Sequence, residues 1–208
     1  TGTLSAIGAT SYSWNQGVGV GNNISVSPAS TTTYTVTGTG ANGCTAQDVV
    51  TVNVNALPNV AVTQGTTIVF CEGNDVVLNA SGASTYSWQP FNQSGSSITV
   101  SPLSTINGTL TGTSSQGCSA VANFTLELSE FTLDIETTPA TCGAANGTAT
   151  AVNQSENIIT GYYWSNGDGG MNLTSISNLS SGPYLLQLND LNACPHEFVF
   201  FVENEGGP

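Results

Sequence analysis

Apolar and polar residues alternate along this chain in short runs. Val50, Val52 and Val54 are spaced by Thr and Asn, and Phe124, Leu126 and Leu128 by Thr and Glu. Phe198, Phe200 and Val202 continue the same beat near the end. A period of two predicts strands with one buried and one wet face. Tyr34 with Val36, and Tyr184 with Leu186, mark the strand before each of the outer runs. Between the paired runs stand Ala41-Asn-Gly-Cys44, Ser115-Gln-Gly-Cys118 and Asn192-Ala-Cys194. Asn-Gly is the favoured two-residue hairpin connection, because both residues accept positive φ. No ten-residue segment shows the 3.6 period of a helix, so the expected class is all-β.

The pattern repeats. Trp14, Trp88 and Trp164 are each followed thirty residues later by a cysteine (Cys44, Cys118 and Cys194), with copies offset by 74 and then 76 residues. Gly8-Ala-Thr-Ser-Tyr-Ser-Trp14 matches Gly82-Ala-Ser-Thr-Tyr-Ser-Trp88, and Ile24-Ser-Val-Ser-Pro28 matches Ile98-Thr-Val-Ser-Pro102. Such a period is too long for a solenoid unit, so each copy should be a small domain. The expected modules are 1–56, 57–130 and 131–208, with short joints at Asn55-Ala-Leu-Pro58 and Ser129-Glu-Phe131 that favour a semi-rigid rod. Many short strands with turns between them predict a two-sheet sandwich in each copy. The three tryptophans sit in alternating strands and are expected in the cores. Tyr12, Tyr86 and Tyr162 lie two residues earlier, on the same face, which weakens a reading of them as a sugar-stacking platform.

The repeat register also sorts the cysteines. Cys71 with Cys118, and Cys142 with Cys194, would each close one module, the first around a loop of 48 residues. A clip of that length is worth about 4 kcal/mol in the chain-entropy model and implies an oxidising compartment. Cys44 is left unpaired, because its expected partner falls four residues before Thr1. Thr1 aligns with Asp75 and Leu4 with Leu78, so the first module is expected to lack its first strand. Two readings stand: the chain is cut from a longer array, or another chain donates the strand.

Composition changes the picture of partners. Average usage would supply about 25 basic residues at this length, yet the chain has no Lys or Arg, 13 carboxylates and a formal charge of −13. Nucleic acid is excluded, since phosphate neutralisation needs Lys or Arg, and binding to anionic lipid is disfavoured. Trypsin-like proteases have no residue to cut after. No run of 18 apolar residues exists to span a membrane, and no signal peptide opens the chain. Catalytic residues are not expected. A Ser–His–Asp set would have to use His196, no zinc spacing remains once four cysteines are paired, and Gly17-Val-Gly-Val-Gly21 lacks the lysine and helix of a phosphate loop. The one cofactor to weigh is calcium, for which Glu130, Asp134 and Glu136 cluster at the second joint. The alternative for them is an acidic edge that discourages strand pairing.

Residues 8–14, 26–28, 33–39 and 42–45 resemble the immunoglobulin-like and PKD-like repeats of very large Bacteroidota surface proteins. The third copy resembles the SprB repeat, through Thr141-Cys-Gly-Ala-Ala-Asn-Gly-Thr-Ala-Thr150, Trp164-Ser-Asn-Gly167, Ile176-Ser-Asn-Leu179 and Gly182-Pro-Tyr184. The resemblance implies a tandem array of small immunoglobulin-like sandwiches, export by the type IX secretion system, a cell-surface address, and a role in adhesion or gliding motility. It departs at Asn107-Gly108, where the first copy has Thr33-Tyr34, and at Asn192-Ala193. The expected function is a structural and adhesive segment of a long extracellular repeat protein, acting as a spacer with weak multivalent adhesion to surfaces or glycans. Its expected partners are neighbouring repeats, surface polysaccharide or identical subunits. The alternatives are a fibre subunit completed by a donated strand and an accessory binding region of a secreted hydrolase.

Overall fold

In a computed structural model of the chain, residues 1–155 and 157–206 are described, and they form strands, turns and loops without a helix. Glu156 and the last two positions of the expected 131–208 module lie outside the described residues. Two compact units result, Thr1–Pro58 with Thr113–Ser119, and Asn59–Gly112 with Ala120–Pro208.

The first repeat contains β1 (Gly2–Ser5), β2 (Ser11–Trp14), β3 (Gly19–Val20), β4 (Asn23–Val26), β5 (Thr32–Thr39) and β6 (Thr45–Val52). β1 pairs with β4, and the facing sheet runs β3-β2-β5-β6. Between them lie Trp14, Ile24, Val26 and Tyr34.

The second repeat has β7 (Ala61–Val62), β8 (Thr67–Phe70), β9 (Val76–Ser81), β10 (Thr85–Gln89), β11 (Gln93–Ser94), β12 (Ser97–Val100), β13 (Ile106–Thr113) and β14 (Ser119–Leu128). One sheet runs β12-β9-β7 and the other β11-β10-β13-β14-β8. In this order the opening strand is split, its first half beside β9 and its second half parallel to β14. That is the layout of an immunoglobulin-type sandwich. Its core draws Val76 and Leu78 from one sheet and Trp88, Leu110, Phe124 and Leu126 from the other.

The third repeat follows the same plan with β15 (Leu133–Thr138), β16 (Ala140–Thr141), β17 (Gly147–Asn153), β18 (Ile159–Trp164), β19 (Gly169–Gly170), β20 (Ser175–Leu179), β21 (Gly182–Asp190), β22 (Pro195–Val202) and β23 (Asn204–Glu205). Its sheets are β15-β17-β20 and β19-β18-β21-β22, with β16 parallel to β23. Trp164 packs edge-on against Phe200 across a core of its own.

The structure departs from the residue pattern at two places. The turn before each late cysteine is a three-residue loop, because Gly40, Ser114 and Asp190 bond directly to the carbonyls of Cys44, Cys118 and Cys194. Only the residue just before the cysteine has positive φ, at 80° for Gly43, 83° for Gly117 and 61° for Ala193. Such loops close with one left-handed residue instead of two. The second correction concerns Val50, read as inward-facing. It is 38% exposed, whereas its counterpart Phe124 is 2% exposed. β14 is flanked by β8, but β6 ends its sheet.

Candidate functional site

The cysteines pair differently from the expectation. Cys71 bonds to Cys194, across 123 residues and from one repeat to the next. Cys44, Cys118 and Cys142 are free thiols among the described residues. Pairing of Cys71 with Cys118 and of Cys142 with Cys194 is therefore overturned, and strand direction gives the reason. β8 runs parallel to β14 with Phe70 opposite Leu128, so Cys71 emerges at the end of β14, beside Ser129. Cys118 precedes the start of that ten-residue strand, about 33 Å away at strand rise. β16 likewise meets β23 beyond the end of β22, which carries Cys142 away from Cys194 at the start of β22. In the second and third repeats the two cysteines lie at opposite ends, and the clip forms where these two repeats meet.

Asp190 organises the meeting point. It is 1% exposed, and Oδ1 accepts the backbone N–H groups of Asn192 and Cys194, both at 2.9 Å. These bonds fix the loop that presents Cys194. On Oδ2, Ser129 of the second repeat donates its hydroxyl at 2.5 Å, and His196 Nε2 lies 3.3 Å away. Ser129 N–H donates to the Phe70 carbonyl, which ties the joint back to the strand before Cys71. Phe131 covers the imidazole with ring centroids 4.9 Å apart and meets Phe198 edge-on. Asn157 donates to the Glu130 carbonyl at 2.6 Å and closes the far side of the joint.

The chemistry of this cluster is that of a brace. The Ser129 hydroxyl is spent on Asp190, and Asp190 holds both Ser129 and His196, whereas a nucleophilic triad needs serine on histidine. Burial pushes the Asp190 carboxyl up, but the Ser129 hydroxyl, the Cys194 N–H, His196 and the Asn192 N–H outweigh it, and the group sits below its ordinary 3.8. A folded pKa below the unfolded one contributes stability that is complete above the ordinary value and lost as pH falls through the folded one. Chemical denaturation between about pH 5 and pH 2 is therefore expected to show the second and third repeats weakening below about pH 4. Asp190→Ala should lower their stability by about 2–3 kcal/mol at neutral pH and flatten that acid slope. An unchanged slope would remove Asp190 from this role.

Other expected site residues are dispersed. Glu130 lies at the joint, while Asp134 and Glu136 project from the exposed face of the edge strand β15. Among the described residues no three His, Cys, Asp or Glu side chains form a group that could hold a metal ion. Carboxylates alternating outward on an edge strand instead repel a further strand. Trp14, Trp88 and Trp164 are buried, and each indole N–H donates to a backbone carbonyl, of Gly21, Gly95 and Leu173. Tyr12 and Tyr86 fold their hydroxyls back onto Ala9 and Ala83, and Tyr162 is buried. Ser129, Asp190 and Phe131 were not singled out by sequence as a unit; their only signal is the short joint itself, which forces the loop after β21 against it.

No helix among the described residues is long and apolar enough to cross a membrane. No known protein family matches the sequence, and no curated protein does. Among solved structures, the chain is similar to the human desmocollin-1 ectodomain at 12% identity and TM-score 0.30, over 97% of this chain and 51% of that one, so it spans about half of its length. It is similar to Sidekick-1 immunoglobulin domains 1–4 at 12% identity and TM-score 0.36, over 99% of this chain and 71% of that one. It is also similar to PcdhgB3 EC1–4 at 8% identity and TM-score 0.28, over 100% of this chain and 67% of that one.

Proposed function

We propose that this chain is a structural and adhesive segment of a long extracellular repeat protein, a semi-rigid spacer that holds weak, multiplied contacts at a distance. One observation carries the reading: the joint between the second and third repeats is closed covalently by Cys71–Cys194 and braced by Ser129 and Asp190. A disulfide that spans repeats stiffens the connection, which is what reach requires. The bond also favours an oxidising, extracellular address. The same offset assigns Cys118 and Cys142 to clips with adjacent repeats, so neighbouring repeats are the first partners. Resemblance of the third repeat to the SprB repeat adds a bacterial cell-surface setting and type IX secretion. Adhesion has a candidate face in Tyr163, Val199 and Phe201, which are large, exposed and on the outer side of the β18-β21-β22 sheet. Repetition would multiply such weak contacts.

Residual dipolar couplings of the oxidised chain test the spacer. The second and third repeats are expected to share one alignment tensor and to separate into two on reduction. Two tensors in the oxidised chain would end the reading. Adhesion is tested separately, by retention of beads densely coated with the chain on surface polysaccharide, against a Phe201→Ser coat.

A further inference from the structure

The third repeat differs from the other two on the outer face of its β18-β21-β22 sheet. Tyr163, Leu185 and Phe201 stand where the second repeat has Ser87, Thr109 and Thr125, and the first has Ser13, Thr35 and Thr51. Strand register sets them in rows. Tyr163 lies opposite Gln187, which lies opposite Glu197. Two residues along, Leu185 faces Val199, and Phe201 follows. Large apolar side chains turned to water add nothing to the core, and a contiguous patch of them marks a contact surface. The backbone makes room for the tyrosine. Gly161 replaces Thr85 and Ser11 of the other repeats. Gly169 lies opposite Tyr163, whereas Ser87 faces Ser94 and Ser13 faces Val20. A Cβ on Gly161 would come within 3.2 Å of Tyr163 Cε2, and one on Gly169 within 3.3 Å of its Cδ1. The ring therefore reaches back over the sheet between two glycines and stays 55% exposed. Beside it, Gln187 Nε2 donates to Glu197 Oε1 at 2.6 Å. Glu197 Oε2 and the Gln187 carbonyl remain as acceptors for an incoming donor.

Size and charge narrow the partner. The patch covers three strands and about five residues along them, roughly 200 Å². A stable protein interface buries about 800 Å² per partner, so a second copy of the chain is a poor fit. Glu197 is the one carboxylate at an outward position of these strands, too little to hold a basic ligand. The chain's charge of −13 repels an acidic one. We infer that this face binds an uncharged polysaccharide chain presented by another surface. One pyranose ring lays its C–H face on Tyr163, and its hydroxyls donate to Glu197 and Gln187. Leu185, Val199 and Phe201 carry the apolar track on to the next rings. Tyrosine supplies a large, rigid contact at low entropic cost, and an ionised carboxylate accepts strongly. The inference deepens the adhesive part of the proposed function and rests on that reading for its purpose. It is measured on single chains in solution, so its failure would leave the spacer geometry, read by dipolar couplings, untouched.

The test titrates cellohexaose, mannohexaose and hexagalacturonate into the isotope-labelled full chain. Saturable binding of at least one neutral hexasaccharide is expected in the millimolar range, with amide shifts on β18, β21 and β22. Hexagalacturonate should give no response. Tyr163→Ser, which restores the residue of the other repeats, should weaken binding at least about tenfold. Tyr163→Phe keeps the ring and should bind within about twofold of the unaltered chain. No saturation with either neutral sugar, equal binding by the Tyr163→Ser chain, or shifts confined to other surfaces would each overturn the inference. Preferential binding of hexagalacturonate or of trilysine, or dimerisation of the chain through this face, would overturn it as well.

Discussion

Replacing Cys71 with Ser is expected to lower the stability of the second and third repeats more than any other single change at their joint. The bond closes a separation of 123 residues, for which the chain-entropy model gives about 5 kcal/mol. That figure applies when both repeats unfold together. If one unfolds alone, the folded partner still anchors one end of it and part of the effect remains. A loss of about 3–5 kcal/mol in guanidinium denaturation is therefore expected, together with a split from one transition toward two. Cys118→Ser and Cys142→Ser should each change stability by less than about 0.5 kcal/mol, because both thiols are free. The pairing within repeats makes the opposite forecast for those two variants. A large loss on Cys118→Ser, or a Cys71–Cys118 peptide in a non-reducing digest, would refute the inter-repeat clip.

The second large effect lies in the second repeat's core. Trp88 is fully buried, meets Phe124 edge-on with centroids 5.6 Å apart, and donates its indole N–H to the Gly95 carbonyl at 2.9 Å. Trp88→Ala removes a ring, leaves a cavity and orphans that carbonyl, which together should cost about 3–5 kcal/mol. Trp14→Ala is expected to cost less, roughly 2 kcal/mol. Trp14 lines a groove between Ser5–Ala9 and β6 and is 7% exposed where Trp88 is fully buried, so less packing is lost. Thermal and chemical denaturation followed by fluorescence of the remaining tryptophans would rank the two. Equal losses would mean that the first repeat's core is as closed as the second's.

Much of the strand architecture could be read from residue spacing, because alternation reports directly which side chains face inward. Phe124 and Leu126 follow that rule, as do Leu186 and Leu188. Val50 obeys the same pattern yet is partly exposed, because burial needs an opposing strand as well as an inward direction. The cysteine pairing departs from the repeat register for a related reason. Thr67-Ile-Val-Phe70 is a short run whose partner, Thr125–Leu128, is distant in sequence and parallel to it, and no local pattern announces a parallel pairing. Once that direction is known, Cys71 can only point at the next repeat. The Ser129–Asp190 brace was hidden similarly, since its two halves are 61 residues apart. What sequence did mark was the joint: three residues leave no slack for the neighbouring loops to avoid each other.

The inter-repeat bond also determines how the chain would carry tension. A pull along the polypeptide follows the backbone up to Cys71 and again beyond Cys194, but between them it passes through two sulfur atoms. The intervening polypeptide, including most strands of both sandwiches, is shielded from load. At about 3.4 Å per residue, roughly 400 Å of contour is withheld until the bond is reduced. The thiol–disulfide balance of the surroundings would then set the maximum length to which this tether can stretch.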